Sequence, residues 1–414
     1  MSTVRRPQPL GLEPSFGFGD RLGLATPGHI DAVRAYGGPI LPVFAQQSIR
    51  EMQRTGRRPS DVMADAAAAV KAGTFTGKWG ADADHLKTQA DANDTAGAGF
   101  VFFTLDPSEH VDPQADNYDA PTLKQKFHRM QHEVNWVNEY RNRSVKLDSG
   151  SEIVFDVATV QRAAVKYGRA VDHAIKLAEH IESVMAKQER AYEIELSVDE
   201  TEQPTTAAEH FIIAEQCLKA DMKLRSLAPR FVGDFEKGID YKGNIQALRR
   251  SLDDHAAIAR QLGPYKLSLH SGSDKLSMYE IFAHCTRGMF HVKTAGTSYL
   301  EALRVVVRHD AGLMRRIIDS ARDHFDADKA TYHISGRLAN VPPQTEIGDA
   351  AELERMYLDE DDGRQILHVT FGSVLTDATL GPALVELLAA EPETHRDVLR
   401  EHFGRHLKAL CRGM

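Results

Sequence analysis

Short apolar runs ending in polar residues alternate along the chain with segments whose apolar positions recur every three or four residues. That alternation is the mark of an α/β protein. The runs predict strands at residues 16–18, 40–44, 78–82, 100–105, 192–197, 230–235, 266–270 and 290–293. Two further strand-like runs follow at 330–334 and 366–371. The pattern leaves open whether a barrel closes with the first eight or uses one of the later pair.

Several strands run straight into helix starts. Thr26 precedes Pro27, a residue suited to a first helical turn, with Ile30 and Val33 following at helical spacing. Thr206 with Glu209, and Ser298 with Glu301, have capping-box spacing, and Leu300, Leu303 and Val307 then share one helix face. Repeated strand, cap and helix units favour a parallel sheet with helical crossovers, here a TIM-like (β/α)8 barrel. An open doubly wound sheet fits less well, because no glycine-rich phosphate turn supports its dinucleotide-binding form.

The stretch between Asp106 and Ala191 is too long for an ordinary crossover. It predicts a helical segment at 123–140, a hairpin of 144–147 and 152–155 around Asp148-Ser149-Gly150-Ser151, and a long helix over 157–188. Residues 107–190 are expected to cap the barrel mouth; an excursion on the barrel's outside is the alternative. The barrel domain is expected to occupy 1–375, with a helical extension over 376–414.

Composition narrows the function. Of 414 residues, 50 are basic and 59 acidic, giving a net charge of −9. That balance argues against nucleic acid or an anionic membrane as partner, yet a few local cations suffice to hold one small carboxylate. Cys217, Cys285 and Cys411 are far apart and lack metal-ligand spacing, as expected of idle thiols in a reducing compartment. Arg5 and Arg6 are followed by no apolar stretch, and no run approaches the roughly 20 apolar residues of a membrane span. A cytoplasmic location is expected, with assembly into a homo-oligomer left open.

Side chains alternate across a strand, so Glu193, Glu195 and Ser197 share one face, as do Lys266, Ser268 and His270, and His291 and Lys293. In a barrel this polar face is the lumen, where charges are costly unless paired or metal-bound. Lys266 opposite Glu193 or Glu195 reads equally as a structural ion pair or as an acid/base couple. Barrel enzymes keep their sites at the strand C-terminal ends. The candidates there are Asp20, Gln46, Asp82, Asp106, Asp199, Asp234, Glu236, His270, Lys293 and, from the later runs, His333 and His368. Carboxylates and imidazoles without cysteine suit a divalent metal such as Zn²⁺ or Mn²⁺. A lone strand-end histidine is more often a hydrogen-bonded structural residue than a ligand. His270 stands out, because the small, donor-rich turn Ser271-Gly272-Ser273-Asp274 follows it. No Gly-x-Ser-x-Gly elbow is present, so nucleophilic hydrolysis has no support.

Longer runs carry a resemblance. They are Gly17-Phe-Gly-Asp-Arg-Leu-Gly23 with Ala25-Thr-Pro-Gly-His29, Phe44-Ala-Gln-Gln-Ser-Ile-Arg-Glu-Met52, and Gly80-Ala-Asp-Ala-Asp-His-Leu-Lys87. Further along stand Glu193-Ile-Glu-Leu-Ser-Val-Asp-Glu-Thr201, Arg230-Phe-Val-Gly-Asp-Phe-Glu-Lys-Gly-Ile-Asp240, Lys266-Leu-Ser-Leu-His-Ser-Gly-Ser-Asp274, His291-Val-Lys-Thr-Ala-Gly-Thr297 and His368-Val-Thr-Phe-Gly-Ser373. Together they make the chain similar to the tagaturonate epimerase family from about Gly17 to Ser373. The resemblance implies interconversion of tagaturonate and fructuronate, keto-hexuronates that differ at C4, with a divalent metal. On that reading Asp234, Glu236, His270 and His333 are expected to bind the metal, with His368 as the substitute for His333. Glu195 and Lys266 are the expected acid/base pair, and Arg21, Lys275 and Lys293 the cations for the substrate carboxylate. A metal-dependent isomerase or aldolase on the same barrel is the alternative; a non-catalytic sugar-acid binder would need an export signal.

Overall fold

The computed structural model describes residues 6–414, so Met1 to Arg5, with the basic Arg5, lie outside the described residues. Among the described residues ten strands form in chain order. They are β1 Ser15–Gly19, β2 Leu41–Ser48, β3 Gly80–Leu86, β4 Phe102–Leu105, β5 Arg143–Lys146, β6 Glu152–Phe155, β7 Glu193–Val198, β8 Leu224–Pro229, β9 Lys266–Leu269 and β10 Phe290–Thr294. All but β5 and β6 close a parallel barrel in the order β1-β10-β9-β8-β7-β4-β3-β2. The expected (β/α)8 barrel is the fold.

Three sequence expectations are corrected. The run 230–235 is the loop after β8, and the strand itself lies upstream at Leu224–Pro229. The apolar pair Phe231 and Phe235 imitated a strand, but their rings pack on each other and Phe231 on His255 and Phe282. Neither late run is a strand: 329–331 is a single 3₁₀ turn, and 366–369 ends the helix Asp361–Val369. The barrel therefore closes without them.

In the long crossover the hairpin and the long helix form as expected, the helical segment at 123–140 divides into Ala120–Met130 and Val137–Tyr140, and the place is different. β5 and β6 pair antiparallel, Arg143 opposite Phe155, and the helix Val157–Lys187 returns the chain to β7. Its apolar residues share a cluster with Phe211, Ile212, Ala257 and Ile258, on the two helices that clothe β7 and β8. Lys166, buried on the long helix, reaches Asp116 at 2.8 Å and Glu209 at 3.3 Å, while Arg143 grips Glu215 at 3.0 Å. Among the described residues, none from 107–190 lines the cavity at the mouth. The excursion is external, and the mouth is covered by other residues.

Those residues come from the loops after β7 and β8 and from the chain after β10. Helices from Thr297–His309 to Leu380–Ala390 share a second apolar cluster. The expected boundary at 375 runs through this cluster and is not a structural division. The helix Pro392–Gly413 instead returns to the barrel wall, with Leu399, Phe403, Leu407 and Leu410 in the main core. It lies against the helix Thr26–Tyr36 so closely that a Cβ on Gly28 would sit 2.6 Å from Leu399, and one on Gly404 2.5 Å from Tyr36. Glycine on each partner permits this approach.

The Thr206–Glu209 capping box forms in both directions, at 3.2 and 2.8 Å. Ser298 is not a cap; its hydroxyl donates to the Gly19 carbonyl at 2.7 Å. Asp20 is used structurally, its carboxylate accepting main-chain N–H groups of Leu22, Gly23, Leu24, Ala25 and Thr26. Among the described residues no helix is long and apolar enough to cross a membrane.

Candidate active site

The lumen is polar because strand parity brings its charged residues inward in layers. At the N-terminal end Glu193 accepts the N–H groups of Leu10 and Gly11 at 2.9 and 2.8 Å, so the entering chain plugs the barrel floor. Above it the Lys266 ammonium donates to Ser15 Oγ at 2.8 Å and to the Glu13 carbonyl at 3.3 Å. Neither glutamate is its hydrogen-bond partner. The expected Glu195–Lys266 couple is not formed, and Lys266 sits deep below the mouth, where burial pulls its pKa down.

Lys293 takes the place expected of Lys266. Its ammonium stands 2.6 Å from Asp82, 2.7 Å from Asp84 and 2.9 Å from Glu195. Burial would expel the proton, but three carboxylates outweigh it and raise the Lys293 pKa. Glu195 also meets His270 at 2.6 Å, and Ser226 donates to its other oxygen. It is wholly buried and does not line the cavity, so it orients Lys293 and His270 from behind. Burial pushes the Asp82 carboxyl up to about 7, with Lys293 only partly offsetting it.

At the mouth lies a cavity of about 680 Å³, lined by Asp84, His85, Asp199, Lys237, His270, Lys293 and His368 among others. His270 stands between Glu195 and Asp199, 3.3 Å from the latter; burial depresses its pKa, but the two carboxylates prevail and hold it at about 10. His85 stands 2.9 Å from Asp84, which likewise overcomes burial and raises its pKa to about 9. Two residues here adopt left-handed backbone conformations, His85 at φ 57° and Ser271 at φ 52°. Non-glycine residues in that region cost of order 1–3 kcal/mol and cluster at functional sites.

The expected metal set is not brought together. Glu236 is turned from the cavity, its Oε2 accepting from Ser335 N, Ser335 Oγ and Gln365 Nε2 at 2.7 Å each. Asp234 and His333 lie 3.5 Å apart on the open rim, with side chains 54% and 72% exposed. His368 arrives from a helix, not a strand end, and is buried against Gly296. A different group converges: one ligand atom from each of Asp84, His85 and His270 lies within 4.8 Å of the others. The buried Nδ1 atoms of His85 and His270 face carboxylate oxygens, of Asp84 at 2.9 Å and Asp199 at 3.3 Å. Two imidazoles and a carboxylate in this arrangement fit a divalent cation, which would displace their protons.

The expected substrate cations also divide. Lys275 is spent on main-chain carbonyls of Glu236, Ile239 and Ser273 and does not reach the cavity. Arg21 lines it but is held by Glu51 at 2.7 Å and lies over the Phe371 ring. Asp84, His85 and Lys237 were missed in the sequence. The strand there runs to Leu86, not Asp82, and extending the parity of Asp82 by two residues would have placed Asp84 in the lumen.

A closed parallel barrel whose C-terminal mouth gathers carboxylates, imidazoles and a lysine around one cavity defines a barrel enzyme for a small polar substrate. The chain belongs to the tagaturonate epimerase family, whose model (UxaE: tagaturonate epimerase) matches residues 3–410. It is 39% identical over 405 residues to the tagaturonate/fructuronate epimerase of Thermotoga maritima, covering 98% of this chain and 82% of that one. The fructuronate-tagaturonate epimerase UxaE of Cohnella laeviribosi, in native and glycerol-complexed crystal structures, superposes with a TM-score of 0.91 at 38% identity. That match covers 98% of this chain and 83% of the other. By family the protein is a carbohydrate epimerase.

Proposed function

We propose that this enzyme interconverts tagaturonate and fructuronate by breaking and re-forming the C3–C4 bond. The observation that carries the reading is the Asp84–His85–His270–Lys293 cluster opening onto one cavity large enough for a hexuronate. The C4 hydrogen is β to the C2 ketone and not acidic, so removal and return of that hydrogen is blocked. The C4 hydroxyl, however, is β to the ketone, which permits retro-aldol cleavage.

Asp84, His85 and His270 would hold a divalent cation. When bound, that cation supplies a Lewis acid for the charge developing on the C2 and C3 oxygens. Lys293 faces the cavity with Asp82 directly behind it at 2.6 Å. In the forward step Lys293 Nζ first passes a proton to Asp82 and, as the neutral amine, takes the proton of the C4 hydroxyl. The C3–C4 pair moves into the C2–C3 enediolate, and C4 becomes an aldehyde. The aldehyde presents its other face, the bond re-forms, and the proton returns from Asp82 through Lys293. An Asp82 carboxyl near neutrality is matched to that exchange. Glu195 holds Lys293 and His270 in register throughout.

The test is hydrogen bookkeeping. Fructuronate brought to equilibrium with the enzyme in D₂O should yield tagaturonate that keeps its C4 hydrogen by NMR. Deuterium at C4 would overturn the mechanism, and accumulation of three-carbon fragments would identify an aldolase instead.

A further inference from the structure

Among the described residues five lysine and arginine side chains line the mouth cavity, and four are committed to carboxylates of the chain itself. Arg21 stands 2.7 Å from Glu51, Arg50 3.2 Å from Glu200, Arg230 4.0 Å from Asp234, and Lys293 faces its three acids. Lys237 is different. Among the described residues no carboxylate oxygen forms an ion pair with it, and its Nζ donates to Ser271 Oγ at 2.7 Å.

The loop around it is fixed on both sides. The Glu236 and Ile239 carbonyls accept from the Lys275 ammonium, the Gly238 carbonyl from Arg364 Nε at 2.8 Å, and the Lys237 carbonyl from Gln365 at 3.3 Å. The half-buried lysine therefore projects from a rigid base, one residue step from His270 through its bond to Ser271. A cation held in a concave site without a paired counter-charge is disfavoured until an anion supplies one; here Asp199, Glu200 and Glu51 only partly offset the burial. Burial lowers the Lys237 pKa, and an incoming carboxylate would reverse that.

We propose that Lys237 receives the substrate's carboxylate and selects a uronate over a neutral ketose. This deepens the uronate reading of the same site and rests on it. The cavity then has two poles, with the reacting carbons at Asp84, His85, His270 and Lys293 and the carboxylate at Lys237. Fixed geometry makes the contact cheap to form, since little side-chain freedom remains to be lost.

The experiment compares wild type with Lys237→Met and Lys237→Arg. For fructuronate, kcat/KM should fall about 10- to 100-fold in Lys237→Met, mainly through KM, and recover most of that in Lys237→Arg. Any slow turnover of fructose should fall far less than fructuronate turnover in Lys237→Met. Calorimetric binding of D-glucuronate, with D-glucose as the neutral control, separates the two readings. Wild type that prefers glucuronate, with the preference lost in Lys237→Met, supports Lys237 as the carboxylate receptor even if fructuronate proves not to be turned over. Equal losses on charged and neutral sugars, unchanged glucuronate binding in Lys237→Met, or a wild type indifferent to the charge would each overturn the proposal.

Discussion

Acid should weaken this fold through a pair of neutral histidines that do not line the cavity. The Tyr265 hydroxyl bonds His210 Nε2 at 2.8 Å, and His210 Nδ1 meets His255 Nδ1 at 2.7 Å. If Tyr265 donates, His210 carries its proton on Nδ1 and gives it to an unprotonated His255 Nδ1. Protonating His255 there would set two N–H groups against each other inside the core. Burial accordingly lowers the His255 pKa to about 4, with Asp254 and the Thr205 main chain only partly opposing it. The sign follows from the unfolded chain, whose histidine titrates near 6.5 and so binds the proton first as pH falls. Stability is complete above that value, is lost between it and about 4, and levels off below. From pH 7.5 to 5.0 the loss covers roughly 1.5 pH units at 1.36 kcal/mol each, or about 2 kcal/mol. Other buried histidines add to the wild-type slope, so the measurement is a difference. Urea unfolding at both pH values is compared between wild type and His255→Gln, whose amide oxygen still accepts from His210. Wild type should lose about 2 kcal/mol more than the variant over this interval. Equal losses would refute the neutral-pair assignment.

Two further outcomes probe the mouth. Glu195→Gln breaks a buried contact to Lys293 and His270 and should cost about 3 kcal/mol of stability; kcat should also fall at least tenfold with KM little changed, and an unaltered kcat in the folded enzyme would remove its positioning role. In equilibrium dialysis, His85→Ala should bind less Zn²⁺ or Mn²⁺ than wild type and His333→Ala as much, whereas the reverse order would restore the rim histidine as a ligand.

The sequence made the barrel legible because strand parity and helix caps are local signals. Seven of its eight strands overlap the predicted runs, and the miss at 230–235 had a specific cause. Leu224–Pro229 carries Arg225 and Ser226 side by side and ends on proline, which interrupts its strand pattern, while the following loop carries two phenylalanines with their own packing partners. Among the site residues, His270 and Lys293 were visible as polar ends of apolar strands. The roles of Glu236 and His368 were not, because each depends on where the helices after β10 fold back, and that of Lys275 depends on carbonyls of the loop after β8. Glu236 looks like a ligand until Gln365 and Ser335 are seen to occupy it. Lys237 was invisible for the complementary reason: its significance lies in lacking the acidic partner that its neighbours have.

The close pairing of Thr26–Tyr36 with Pro392–Gly413 sets an order of events during synthesis. Arg396 and Asp31 meet at 2.8 Å across the seam between them. The first helix leaves the ribosome some 360 residues before its partner, which at 5–20 residues per second is roughly 20–70 s. Throughout that interval the first strand and helix present Phe16, Phe18 and the face at Gly28 without the Phe403 and Leu399 side chains that finally cover them. The wall cannot be completed sequentially from one end. Its earliest-made part must wait, exposed and chaperone-accessible, for nearly the whole remaining chain.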